Sequence, residues 1–185
     1  MNKLYAFAAN GVEEVECLTT VDILRRGGVE VCLAAVGEDR MIEGSHGIRF
    51  EADILLEEAD LSDADALFLP GGMPGTLNLQ ADEGVNQALL SAAEKGTWIC
   101  AICAAPRVPG SLGLLKGERA TCYPGNEEYL EGAECTGSGV EVSGRFITGK
   151  SAGWAVPFAL KVLEKLEGEE ASEKIRKAIV FEGTV

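Results

Sequence analysis

Thr97-Trp98-Ile99-Cys100-Ala101-Ile102-Cys103-Ala104-Ala105-Pro106 runs from an apolar, strand-like segment into a cysteine among tiny residues, and an amphipathic segment follows at once. A strand, then a nucleophile flanked by small side chains, then a helix is the sequence form of a nucleophile elbow on an α/β sheet. The turn crowds the backbone of the nucleophile, so its neighbours must be small. A helix N-terminus behind the cysteine lends partial positive charge, which lowers a thiol pKa and favours the thiolate. Cys103 is therefore the candidate reactive atom, expected as a thiolate.

Outward from this stretch, apolar strands alternate with helical segments. Tyr5–Ala9 reads as a strand ending at the turn Asn10-Gly11, and a helix from about Val12 to Arg26 stops at Gly27-Gly28. Val29–Val36 is a second strand, and Met41–Glu51 turns through Gly44-Ser45-His46-Gly47 like an edge hairpin. Ala64–Leu69 is a buried strand closed by Pro70-Gly71-Gly72, Gly84–Lys95 is helical, and Trp98–Ile102 feeds the elbow. A helix to about Leu115, short strands near Ala120, Glu134, Val140 and Phe146, and helices over Trp154–Leu166 and Glu169–Ala178 complete the chain. This alternation predicts right-handed crossovers and a mostly parallel sheet covered on both faces. The loops after Ala9, Leu69 and Ile102 all leave the carboxyl ends of strands, where such folds bind ligands.

The length of 185 residues suits one α/β domain, expected to span residues 1–185, and no apolar run approaches a membrane span. Met1-Asn2-Lys3 leads straight into a strand without the apolar region of a signal peptide, so a soluble cytoplasmic protein is expected. The formal net charge of −14 argues against nucleic acid and anionic membranes as partners. Of the six cysteines, Cys17, Cys32 and Cys100 fall inside helix or strand segments as small apolar residues do. Reduced thiols fit this pattern better than a disulfide framework.

On a helical wheel, Val12, Glu16, Cys17, Thr19, Thr20, Val21, Ile23 and Leu24 share one broad arc, with Glu14, Asp22, Arg25 and Arg26 opposite. Glu16 thus points inward, where burial raises a carboxyl pKa and keeps it protonated. A Glu at the edge of the arc could instead reach water; a candidate thiolate on the same sheet edge favours the inward reading. A protonated Glu16 would donate to the sulfur, and on that basis Glu16→Gln is expected to raise the Cys103 pKa. Gly71 and Gly72 offer backbone N–H groups of the kind an oxyanion hole requires. Cys100-x-x-Cys103 formally matches a dithiol motif, but Cys100 lies in mid-strand. His46, the only histidine, reads as an exposed turn residue, and no metal site has the expected ligand spacing.

Together, Asn10-Gly11-Val12-Glu13-Glu14-Val15-Glu16, Leu69-Pro70-Gly71-Gly72-Met73-Pro74-Gly75, Ala101–Pro106 and Thr121-Cys122-Tyr123-Pro124-Gly125 resemble the ThiJ/PfpI superfamily. The resemblance is to its DJ-one branch, which includes the Parkinson-disease protein deglycase, and covers nearly the whole chain. It implies a flavodoxin-like α/β sandwich related to class I glutamine amidotransferases, homodimeric and without cofactor. It also implies Cys103 as the reactive cysteine, Glu16 as its carboxyl partner and the amides of Gly72 and Ala104 as the oxyanion site. Tyr123, Ala105 and Asn10, within the matching motifs, are expected to line the pocket. Several members place a histidine where this chain has Tyr123, and a phenol is a poor general base at neutral pH. The loop that often reads Arg-Gly-Pro-Gly is here Lys150-Ser151-Ala152-Gly153, with Pro157 beyond, and Pro109-Gly110 interrupts the helix behind the elbow.

The expected function is oxidative and carbonyl stress defence, with cysteine-dependent deglycase or glyoxalase-type chemistry on aldehydes such as methylglyoxal or on glycated substrates. The alternative is a non-enzymatic redox sensor or stress chaperone in which Cys103 becomes a sulfinic acid stabilised by Glu16. Amidotransferase and peptidase chemistry rank third, since those relatives use a Cys–His pair.

Overall fold

In the computed structural model, which describes residues 1–183, the first strand already sets the layering. Along β1 (Lys3–Ala8), Leu4, Ala6 and Ala8 enter one core while Tyr5 and Phe7 enter the other, as successive strand side chains must. The first core is closed by α1 (Glu14–Arg26), through Val21 and Leu24.

Beyond α1 lies β2 (Glu30–Ala35), then a hairpin of β3 (Met41–Glu43) and β4 (Arg49–Glu51), then β5 (Ile54–Leu55) and β6 (Ala66–Leu69). The second core is closed by α2 (Gly75–Ala81), α3 (Glu83–Lys95) and, after β7 (Trp98–Ile102), α4 (Arg107–Ser111). Two short strands, β8 (Arg119–Ala120) and β9 (Glu134–Cys135), pair with each other, and β10 (Val140–Ser143) and β11 (Phe146–Gly149) join the main sheet. The chain returns to the first core through α5 (Ala155–Glu167) and α6 (Glu169–Ala178), which contribute Phe158, Leu163 and Ile175.

The main sheet has seven strands in the order β10-β11-β7-β6-β1-β2-β5, all parallel except β10. Helices on both faces explain why β6 and β7 are nearly unbroken apolar runs. The strand order reverses at β1, and the loops after β1, β6 and β7 open side by side at that switch point. Among the described residues, no helix is long and apolar enough to cross a membrane.

Four expectations change. The segment 41–51 is a separate two-stranded sheet rather than an edge of the main one, because its turn is fastened to the start of α1. The edge is taken by β5, only two residues long and too short to carry a periodic signal. The loop after Gly72 contains α2, whose first-turn Gly and lack of a side-chain cap hide it in sequence. The helix behind the elbow shrinks to the five residues of α4. Pro109 supplies no N–H to that helix, and Gly110 packs so tightly that a Cβ would lie 2.3 Å from the Tyr129 carbonyl oxygen.

Candidate active site

Cys103 sits at the end of β7 with φ of 64°, and only Val180 shares a positive φ among the described non-glycine residues. This conformation is strained for an L-residue and persists where neighbours over-determine it. Two chain segments do so: the Cys103 N–H donates to the Gly149 carbonyl at 2.9 Å, and its carbonyl accepts from the Tyr123 N–H at 2.8 Å. Ala104 and Ala105 are both buried directly behind the elbow, which is why nothing larger follows the cysteine. Cys103 itself stays partly open to solvent.

Glu16 reaches this point from α1 with no exposed surface. Its Oε2 accepts the Gly71 N–H at 2.9 Å, while Oε1 is buried without a hydrogen-bond partner. A Cβ on Gly71 would stand 2.7 Å from both Cys103 Cβ and Glu16 Oε2, so only glycine lets the acid and the cysteine meet there. Burial pushes the Glu16 carboxyl up to about 7, opposed by its interaction with Cys103 and by the Gly71 amide. Burial likewise pushes the Cys103 thiol up, and the Glu16 charge adds to that rise, while the Ala104 and Gly72 amides oppose it.

The pull toward a thiolate that the sequence suggests is opposed here. A five-residue α4 that begins four residues after the sulfur has little dipole to offer, and burial beside a carboxylate dominates. Cys103 and Glu16 form a buried pair that titrates as a unit, sharing one proton between them once the first has left. The placing of Gly71 in the oxyanion site is also corrected. Its N–H is committed to Glu16, which leaves the Gly72 and Ala104 amides facing the sulfur.

The remaining sequence candidates divide. Tyr123 is half exposed and touches the elbow through its backbone N–H. Ala105 lies wholly in the second core rather than on a pocket wall, its N–H closing the turn onto the Ile102 carbonyl. Asn10 is a clamp: its Oδ1 accepts the Glu43 N–H and its carbonyl accepts Asn78 Nδ2, each at 2.9 Å, tying the hairpin and α2 to the end of β1. Glu14, placed on the outer arc by the wheel, is buried because the β3–β4 hairpin folds over it. Its Oε1 accepts the N–H groups of His46 and Ile48, and His46 Nδ1 lies 3.0 Å from Oε2. Burial would raise Glu14, but these donors overrule it and take it down to about 2. Helical periodicity alone could not reveal that cover, which comes from a turn 32 residues downstream.

The turn that presents the Gly72 amide is tight. With φ of 91°, a Cβ there would meet the Glu13 nitrogen at 2.2 Å and the Gly11 carbonyl oxygen at 2.7 Å. Gly72→Ala is expected to destabilise the fold by about 2 kcal/mol, from a left-handed backbone and a backbone clash together. Urea denaturation checks this, and an unchanged midpoint would mean the loop has room that the geometry denies it.

The DJ-1/PfpI family model matches residues 2–165 of this chain. "Protein DJ-1 homolog B" of Arabidopsis thaliana is 34% identical over 94% of the chain, which spans 40% of that relative's length. "Glutathione-independent glyoxalase DJR-1.2" of Caenorhabditis elegans is 34% identical over 90% of the chain and 89% of its own length. Among solved structures, "Toxoplasma gondii DJ-1, oxidized" superposes with a TM-score of 0.95 at 31% identity, covering 99% of this chain and 100% of that one.

Proposed function

This chain belongs to the DJ-1/PfpI family, and on that premise we propose that it is a reactive-cysteine protein that converts small reactive aldehydes by glyoxalase- or deglycase-type chemistry. The observation that carries the reading is the fully buried Glu16 carboxyl set against the partly open Cys103 in a strained elbow. A glyoxalase name on a relative of nearly the same length supports the substrate class.

The steps follow from the arrangement. The sulfur adds to the aldehyde carbon of a 2-oxoaldehyde while the thiol proton passes to the Glu16 carboxylate. The new oxyanion receives hydrogen bonds from the Gly72 and Ala104 N–H groups. Glu16 returns that proton to the oxyanion and, as a carboxylate again, moves the C–H proton to the adjacent carbon while the hydroxyl proton passes to the adjacent oxygen, leaving a thioester of a 2-hydroxy acid. Water releases the acid and restores the thiol, so methylglyoxal and water become lactate with no external oxidant or reductant. Adducts of the same aldehyde on amino groups expose an equivalent carbon to the sulfur.

Turnover of methylglyoxal to lactate by the protein alone, followed by proton NMR without added thiol, tests this. Absence of turnover would sink the enzymatic reading. The Glu16 position also sets a pH profile: below about 7 the carboxyl carries its own proton and cannot take that of the thiol. kcat/KM is expected to rise through that pH and level off above it, and a profile falling from pH 6 to 8 would contradict the role of Glu16 as acceptor.

A second reading rests on the access to Cys103. A half-buried sulfur beside an acid and two free amides suits a sulfinic acid held by hydrogen bonds, and a relative was solved in an oxidised form. No turnover, with a selective gain of two oxygens on Cys103 under mild peroxide, would favour that role.

The six cysteines stand as free thiols, which fits a reducing, cytoplasmic setting. Val15 and Leu18, a turn apart on α1, and Ile48 beside β4 are exposed apolar side chains on neighbouring elements, and they suit the contact of a homodimer. Val15→Glu is then expected to convert a dimer into a monomer in sedimentation, and a monomeric native chain would remove the dimer.

A further inference from the structure

At the foot of α1 the hairpin turn brings together groups that lie far apart in sequence. One carboxylate oxygen from each of Glu13 and Glu14 and a ring nitrogen of His46 all lie within 4.8 Å of one another. His46 Nδ1 is 3.0 Å from Glu14 Oε2 and 3.4 Å from Glu13 Oε2. Two ligands held about 2.0–2.2 Å from one ion stand roughly 3–3.5 Å apart, so this spacing matches a shared metal.

The carboxylates are preset for it. Glu13 uses Oε1 to accept the Val15 N–H at 3.4 Å, and Glu14 uses Oε1 to accept the His46 N–H at 2.8 Å. In each the other oxygen is turned toward the imidazole. The Ser45 hydroxyl completes the rim, 3.3 Å from Glu13 Oε2 and 3.4 Å from Glu14 Oε2. The Glu13 and Glu14 side chains keep only 16% and 4% of their exposure, so little rotamer freedom is lost on binding, whereas His46, at 68% in the single chain, is the exposed member.

We propose that Glu13, Glu14 and His46 form a site for one divalent ion of the zinc, cobalt or nickel type, with water in the open position. Imidazole and carboxylate oxygens suit such borderline ions, and the absence of sulfur among the three separates the site from Cys103. The ion sits between His46 Nδ1 and Glu14 Oε2, so binding requires the imidazole in its neutral, Nε2–H form. The N-terminus of α1 opposes a cation, but two full carboxylate charges outweigh its partial one. Linear spacing does not reveal the cluster, because its third member arrives from a hairpin 32 residues beyond Glu14. The site does not depend on the carbonyl chemistry proposed above.

Titration of the metal-stripped full chain with Co2+ tests the proposal. One ion per chain is expected, with visible d–d absorption and no sulfur-to-metal charge-transfer band. His46→Ala and Glu13→Gln should each weaken binding at least about tenfold, and Cys103→Ala should leave it unchanged. Both test residues avoid the Glu14 oxygen that fastens the hairpin, and the His46 ring is largely exposed. No bound Co2+, binding that survives in both variants, or a charge-transfer band lost with Cys103→Ala would overturn it.

Discussion

Cys103→Ala is expected to cut methylglyoxal turnover at least about 10³-fold, equivalent to about 4 kcal/mol of barrier. The sulfur forms the bond to the carbonyl carbon, and no other described side chain offers a nucleophile at that elbow. Ala104 and Ala105 follow it, and Cys100, three residues earlier, is buried in mid-strand with its thiol pushed far up by burial. Alanine keeps the left-handed backbone no worse than cysteine does, so the variant should lose less than about 1 kcal/mol of stability. Measured kcat/KM beside a denaturation curve checks both halves. Activity within tenfold of the native chain would remove Cys103 from the reaction. Cys100→Ala is the companion variant, and its retention of turnover would exclude a dithiol cycle.

Glu16→Gln is the second large effect. The amide cannot accept the thiol proton, and turnover should fall about 10²- to 10³-fold. It also leaves a signature in stability. The Glu16 carboxyl is raised to about 7 in the folded chain from an ordinary 4.5, so the native state binds its proton more tightly than the unfolded state does. The contribution of that proton is whole below about 4.5 and is lost as pH rises through about 7. Relative to Glu16→Gln, the native chain should lose about 3 kcal/mol between pH 4.5 and 8. Parallel stability curves for the two proteins would mean that the Glu16 carboxyl is not raised by burial. His46 and Glu14 titrate equally in both proteins, so the difference curve reports Glu16 together with the Cys103 coupled to it.

The layering of the fold is legible because it follows from two periodicities. Alternating side chains in Lys3–Ala8 and an apolar arc on Glu14–Arg26 leave only one way to cover the sheet. The same arc places Glu16 inward, and the run Ala101–Ala105 marks the elbow. Interactions between distant segments are what one chain segment cannot disclose. The commitment of the Gly71 amide to Glu16 joins residues 55 apart, and the cover over Glu14 comes from the hairpin turn. The setting of the thiol is only half legible for a related reason. The helix dipole is a local feature that sequence suggests, whereas burial next to a carboxylate depends on how α1 packs against the elbow.

The most direct test is the rate of alkylation at Cys103 as a function of pH, read on its own peptide by mass spectrometry, in the native chain and in Glu16→Gln. Sequence alone suggests that the amide raises the thiol pKa by weakening a donor. With Glu16 ionised the sign is the opposite, because the amide removes a negative charge beside the sulfur. The native Cys103 should resist alkylation until well above the ordinary thiol range, and Glu16→Gln should shift its titration downward, with about tenfold more thiolate at fixed pH for each unit. A native thiol already ionised at neutral pH, whose titration moves upward in Glu16→Gln, would contradict the shared-proton pair on which the chemistry rests.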